Sequence, residues 1–194
     1  MRIHRSTRLA AALLAASGVL SACRNQEASA KSAPTIEKKI PIESPTLTDA
    51  NIVALLDAAS EADSTLGAQA QLLLSSKPAK AYAQMMMHDH HQLRERVGSL
   101  ARKQRITAEM PKDDPFAAAV GAERSAVRHA RYGRKLDSTY IANEIEIHSA
   151  VVNWVKNAES EAHSAALVEL IRSAEPELRK HLDHAAAVQH TLAR

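Results

Sequence analysis

AKAYAQMMMHDHHQLRERVGSL, residues 79–100, carries a stripe of Ala79, Ala83, Met86, His90, Leu93, Val97 and Leu100, spaced alternately by four and three. That spacing puts all seven on one face of an α-helix, the face a helix buries against its neighbours. Its central member, His90, is polar. Three more stretches repeat the pattern: Ile52, Leu56, Ala59, Asp63, Leu66, Ala70, Leu73; then Ile141, Ile145, His148, Val152, Val155; and Ile171, Ala174, Leu178, His181, Ala185, Val188, Leu192. Each stripe needs partners, and four long helices joined by short connections bury theirs in an antiparallel four-helix bundle. The fold class is therefore all-α.

Helix signals divide the chain further. Thr48 or Asp49 caps a first helix running to Ser75; Ser76 caps a second, with Pro78 in its first turn, reaching Arg105. Asp114-Pro115 is expected to open a shorter, extra helix to Tyr132, ended by Gly133. Long helices then cover 136–158 and 161–192, the latter capped by Ser160 and kinked at Pro176. Downstream of residue 48 no stretch sustains the two-residue alternation of a strand.

Each long helix thus contributes one residue able to bind a metal or exchange a proton: Asp63, His90, His148 and His181. Bundle interiors are where such folds build ligand and metal sites. Three imidazoles and a carboxylate suit a transition metal such as Zn, Cu, Fe or Mn, held for storage, buffering or stress protection. The alternative is a structural or interaction protein of the cell envelope whose buried histidines only hydrogen-bond. Glu144, one turn before His148, either orients that ring or is solvated, the commoner outcome for such spacing. Met85, Met86, Met87, His88, His90 and His91 form a copper-attracting run, but helical geometry sends Met86 and His90 inward and His88 and His91 elsewhere. His181 and His184, three apart, either share an ion or leave His184 to water. Trp154 and Tyr140 read as packing residues. No Gly-rich phosphate loop and no nucleophile turn is present, so no catalytic residue is assigned; an enzyme would need an open coordination position.

The N-terminus sets the expected compartment. Arg2, Arg5 and Arg8 precede an apolar run from Leu9 to Leu20, about half the roughly 20 residues that span a bilayer. Leu20-Ser21-Ala22-Cys23 then ends the run with the only cysteine, where a bacterial lipoprotein is cut and acylated. Residues 1–22 are read as a lipoprotein signal, 23–47 as lipidated Cys23 plus a flexible tether with Pro34, Pro41 and Pro45, and 48–194 as the bundle domain. A tether of about 25 residues reaches about 25–30 Å. The formal charge of +3 resides in the three leader arginines, so the mature chain is neutral. A neutral chain outside the cytoplasm is not expected to bind nucleic acid. Acylation of Cys23 leaves no thiol for disulfides or thiolate metal sites. Two or three acyl chains anchor stably, each CH₂ contributing about 0.8 kcal/mol. Arg24 rather than aspartate after the cysteine points to the outer membrane, facing the periplasm. The basic run Arg124, Arg128, Arg131, Arg134 and Lys135 reads as a solvated helix face.

YAQMMMHDH (Tyr82–His90), the spacing from Tyr140 to His148, PELRKHL (Pro176–Leu182) and the lipoprotein leader together resemble the uncharacterised bacterial family designated domain of unknown function 4142, "predicted outer membrane protein". The resemblance covers roughly Asn51 to Leu192. It implies a ferritin-like bundle, in which the family's characteristic histidines correspond to His90, His148 and His181. Where the family tends to place a Glu four residues before a Gly, this chain has Asp63 before Gly67. No histidine follows a Glu by three, the pairing that di-iron carboxylate bundles use, so ferroxidase chemistry is not expected.

Overall fold

The computed structural model describes residues 46–194, which form five helices: α1 (Asp49–Leu73), α2 (Lys77–Gln104), α3 (Ala117–His129), α4 (Arg134–Glu161) and α5 (Ala165–Leu192). The signal segment, Cys23 and nearly all of the tether lie outside the described residues. Among the described residues there is no strand, and no helix is long and apolar enough to cross a membrane.

Local chemistry explains most helix ends. Thr48 caps α1 through a reciprocal box: its Oγ1 accepts from the Asn51 amide at 3.1 Å, and Asn51 Oδ1 accepts from the Thr48 amide at 3.2 Å. Ser76 accepts from the Ala79 amide, and Pro78 occupies the first turn of α2. Arg105 ends α2 in the left-handed region at φ 56.

Three boundaries differ from the sequence reading. Asp114 Oδ1 accepts from the Phe116 amide at 2.8 Å, a side-chain turn that delays α3 until Ala117. Gly133 does not end that helix, which stops at His129; at φ 87 it is the N-cap of α4, a conformation that suits glycine. Ser160 lies inside α4 and donates to the Asn157 carbonyl, while Ser164 caps α5. The break falls at 162–164 because the Asp49 carboxylate accepts from the amides of both His163 and Ser164, tying that turn to the start of α1. α5 continues through Pro176.

Long-range hydrogen bonds give the topology. The α1–α2 turn is held to α4 by Asp137, which accepts from the amides of Ser75 and Ser76 and the Ser75 hydroxyl at 2.7–2.8 Å. The opposite end of α1 meets the α4–α5 turn through Asp49. Asp89–His181 and Arg96–Glu177 show α2 and α5 antiparallel. α2 and α4 therefore run the same way, and residues 105–133 must climb the length of the bundle, α3 lying against α1 and α4 as it does so. Four long helices and one such long crossover make up the helical bundle, α3 being its extra short helix.

The core divides in two. Ile52, Leu55, Leu56, Leu93, Val97, Val152, Val155, Leu167 and Ile171 pack toward one end, with Phe116 edge-on to Trp154. Leu66, Ala70, Tyr82, Ala83, Met86, Leu136, Tyr140, Ile141 and Val188 pack toward the other. Within each of the four stripes, the polar member falls between these two apolar halves.

Candidate metal centre

Asp63 on α1, His90 on α2, His148 on α4 and His181 on α5 lie at one level of the bundle, each 0–3% exposed. His90 Nε2 is 3.3 Å from His148 Nε2 and 3.4 Å from Asp63 Oδ2, and His148 Nε2 is 4.0 Å from the same oxygen. The three histidines each offer a ring nitrogen, all within 4.8 Å of one another, with ring centroids 5.1–5.5 Å apart. The structure thus brings all four sequence-selected side chains together.

Two rings are oriented from outside the cluster. His148 Nδ1 faces the Glu144 carbonyl at 3.0 Å and its carboxylate at 3.3 Å, so Nδ1–H donates there and Nε2 is the nitrogen turned to His90 and Asp63. His181 Nε2 donates to Asp89 Oδ2 at 3.1 Å, leaving Nδ1 buried without a partner. A histidine that gives one N–H to a carboxylate or carbonyl and keeps its other nitrogen free is the arrangement of metal-ligating rings. His90 Nδ1 is also buried and unpartnered.

Glu144 is fully buried, and Ile145, assigned to the stripe on sequence, is half-buried. The carboxylate is held inside because His148 and Tyr82 supply its partners, the Tyr82 hydroxyl donating to Oε2 at 3.4 Å. Tyr140 packs edge-on to Tyr82 at 6.2 Å and is fully buried, as a packing residue should be. A further carboxyl escaped the sequence reading: Glu123 of α3, 2% exposed, reaches the same polar interior. Its signal was present in the spacing Phe116, Val120, Glu123, Val127, another three-and-four stripe. Asp89, beside His90 in sequence, likewise gains its role only through α5.

Burial dominates the electrostatics. It pushes Asp63 up to about 7, the charge on His148 opposing and that on Glu144 adding. His90 is held well below the usual histidine range by burial and then by His148 and His181, and His181 is lowered by burial and His148. Burial also disfavours the charge on His148, but its hydrogen bond to Glu144 and the negative charges of Asp63 and Glu144 outweigh that and raise it. Glu123 is pushed up to about 10 by burial and then by Glu144 and Asp63, so it is protonated at neutral pH. The cluster holds two neutral imidazoles beside one that favours a proton.

The donor set fits a transition metal. With bonds of roughly 2.0–2.1 Å, donors at the corners of a tetrahedron lie roughly 3.3–3.4 Å apart, close to the His90–His148 and His90–Asp63 separations. His148 Nε2 and Asp63 Oδ2 are wider, at 4.0 Å, and the three imidazole nitrogens lie within 4.8 Å of one another, so side-chain rotation must draw the ligands in around an ion. His90, His148, His181 and Asp63 would be the ligands, with Glu144 and Asp89 orienting two of the rings.

No curated protein and no solved structure matches the chain. A family model described as Domain of unknown function (DUF4142) matches residues 37–188, most of the chain and four of the five helices in full. The chain belongs to the DUF4142 family.

Proposed function

We propose that the protein is a transition-metal-binding module of the bacterial envelope, anchored by acylated Cys23 at the outer membrane and facing the periplasm, with His90, His148, His181 and Asp63 as ligands for storage, buffering or stress protection. The observation that carries this reading is the orientation of the rings: His148 and His181 each give one nitrogen to a carbonyl or carboxylate outside the cluster, so that His148 Nε2 is turned to His90 and Asp63 and His181 Nδ1 is left buried without a partner. A purely hydrogen-bonded network accounts for His90–His148–Asp63 but leaves the buried Nδ1 of His181 without a partner, a cost of about 1–3 kcal/mol. A bound cation in this cluster would supply positive charge beside carboxylates that burial otherwise forces toward protonation. Ligation requires neutral rings, so an ion competes with the proton whose hold on His148 Glu144 and Asp63 strengthen.

The test is elemental analysis by mass spectrometry on the exported protein, purified without chelators or a His-tag. Near-stoichiometric Zn, Cu, Fe or Mn, lost in His148→Ala, is the expected result. A folded wild-type protein free of metal, and unable to take it up on dialysis against each ion, overturns the proposal in favour of the structural reading.

A further inference from the structure

The bundle consists of two tightly packed pairs, α1 with α2 and α4 with α5, joined along two looser seams. The α1–α4 seam lies under α3, which brings Glu123 to it. Among the described residues, no helix covers the α2–α5 seam in this way. There Asp89, its side chain 34% exposed, reaches His181 from the solvent side. One turn before Asp89 on α2 stands Met85, and three residues after His181 on α5 stands His184. Both are half-buried, and Met85 Sδ lies 3.4 Å from His184 Nδ1.

We propose that Met85 and His184 form a second, outer metal site, selective for a soft monovalent ion of the cuprous class. A thioether and a neutral imidazole are both uncharged donors. Thioether sulfur favours Cu(I) over hard divalent cations, which prefer oxygen. The separation fits: with bonds of roughly 2.0 Å to nitrogen and 2.3 Å to sulfur, a 3.4 Å span subtends about 105° at the ion, within the tetrahedral range. The pair is also preorganised. The Tyr82 ring, itself fully buried, packs edge-on against the His184 ring at 5.6 Å and 77°, so the imidazole is already oriented and little rotamer freedom remains to be lost on binding. In the free protein the contact is an N–H···S hydrogen bond from Nδ1. Binding through Nδ1 uses the tautomer that carries its proton on Nε2. Partial exposure of both donors gives the ion direct access, unlike the enclosed histidines below.

The experiment uses the full-length chain carrying Cys23→Ala, which removes the only thiol, and His148→Ala, which disables the interior cluster. With methionine methyl groups labelled with ¹³C, Ag(I) serves as the redox-inert probe at pH 7.5. One equivalent is expected to shift the Met85 methyl resonance, and Met85→Leu and His184→Gln are each expected to weaken Ag(I) binding at least fivefold. An unmoved Met85 resonance at one equivalent, or weakening of less than fivefold in either variant, overturns the proposal. Should His148→Ala not fold, the same titration on the Cys23→Ala chain reads the same Met85 signal. A folded wild-type protein that neither holds interior metal nor takes it up on dialysis would refute the interior centre and leave this measurement unaffected.

Discussion

At Gly67 the backbone of α2 closely approaches α1, and replacing it by alanine tests the geometry on which the centre depends. A Cβ at Gly67 would stand 2.7 Å from the Ala83 carbonyl oxygen, 2.9 Å from the Met87 amide nitrogen and 3.3 Å from Met86 Cβ. The first two are backbone atoms of a helix and cannot swing aside, so the two helices must separate by roughly half an ångström. Overpacking of this kind costs about 1–3 kcal/mol, and the rigid neighbours place Gly67→Ala toward the upper end. Alanine's better helix propensity returns about 1 kcal/mol. The net expectation is a loss of about 1–2 kcal/mol, or roughly 2–8 °C in melting temperature for a chain of this size. Gly121→Ala is the control: in α3 a Cβ there meets nothing within 4 Å, so only the propensity gain remains, up to about 1 kcal/mol of added stability. Thermal and urea unfolding followed by circular dichroism compares the two. Because Asp63 lies one turn before Gly67, separating the helices also lengthens its 3.4 Å approach to His90, and metal affinity should fall with stability. A Gly67→Ala protein as stable as the parent would refute the close approach of α1 to α2.

Three further outcomes follow from particular groups. Asp137→Ala, which strips the Ser75 and Ser76 amides of their acceptor, should cost about 2–4 kcal/mol in urea unfolding. Burial opposes the Asp137 charge, but the Ser75 and Ser76 hydrogen bonds lower its pKa overall, so its contribution is full above about pH 4 and is lost as pH falls below that; equal unfolding midpoints for variant and parent at pH 7 would contradict it. Glu123 has the opposite sign: its pKa is raised to about 10, so its contribution is full below the unfolded value of about 4.5 and declines as pH rises toward 10. Glu123→Gln should flatten that decline and stabilise the protein at pH 8 relative to pH 5, as read from urea midpoints at both values. Asp89→Asn replaces the charged acceptor of His181 Nε2–H and should weaken interior metal binding about 10–100-fold in competition with a chelator of known affinity; an unchanged affinity would mean His181 is not a ligand.

The four apolar stripes, with one polar residue in each, were legible in the sequence because helical periodicity is a local property: residues three and four apart share a face whatever surrounds the helix. So were the cap Ser76, the cap of α1 narrowed to Thr48 or Asp49, of which the structure takes Thr48, and the membership of Asp63, His90, His148 and His181 in the core. Choices between equivalent local options were settled only by tertiary contacts. Ser160 and Ser164 are comparable caps by sequence, and Asp49 on a different helix decides between them. Glu144 and Ile145 compete for one stripe position; burial of the carboxylate succeeds because Tyr82 reaches it from α2 and His148 turns to it. Periodicity says which residues point inward but not at what height two helices meet. The level at which Asp63, His90, His148 and His181 coincide, the arrival of Glu123 on the crossover helix, and the meeting of Met85 with His184 across 99 residues of chain all depend on helix register and direction. Those are fixed by Gly67, Asp49 and Asp137, long-range contacts that no local spacing encodes.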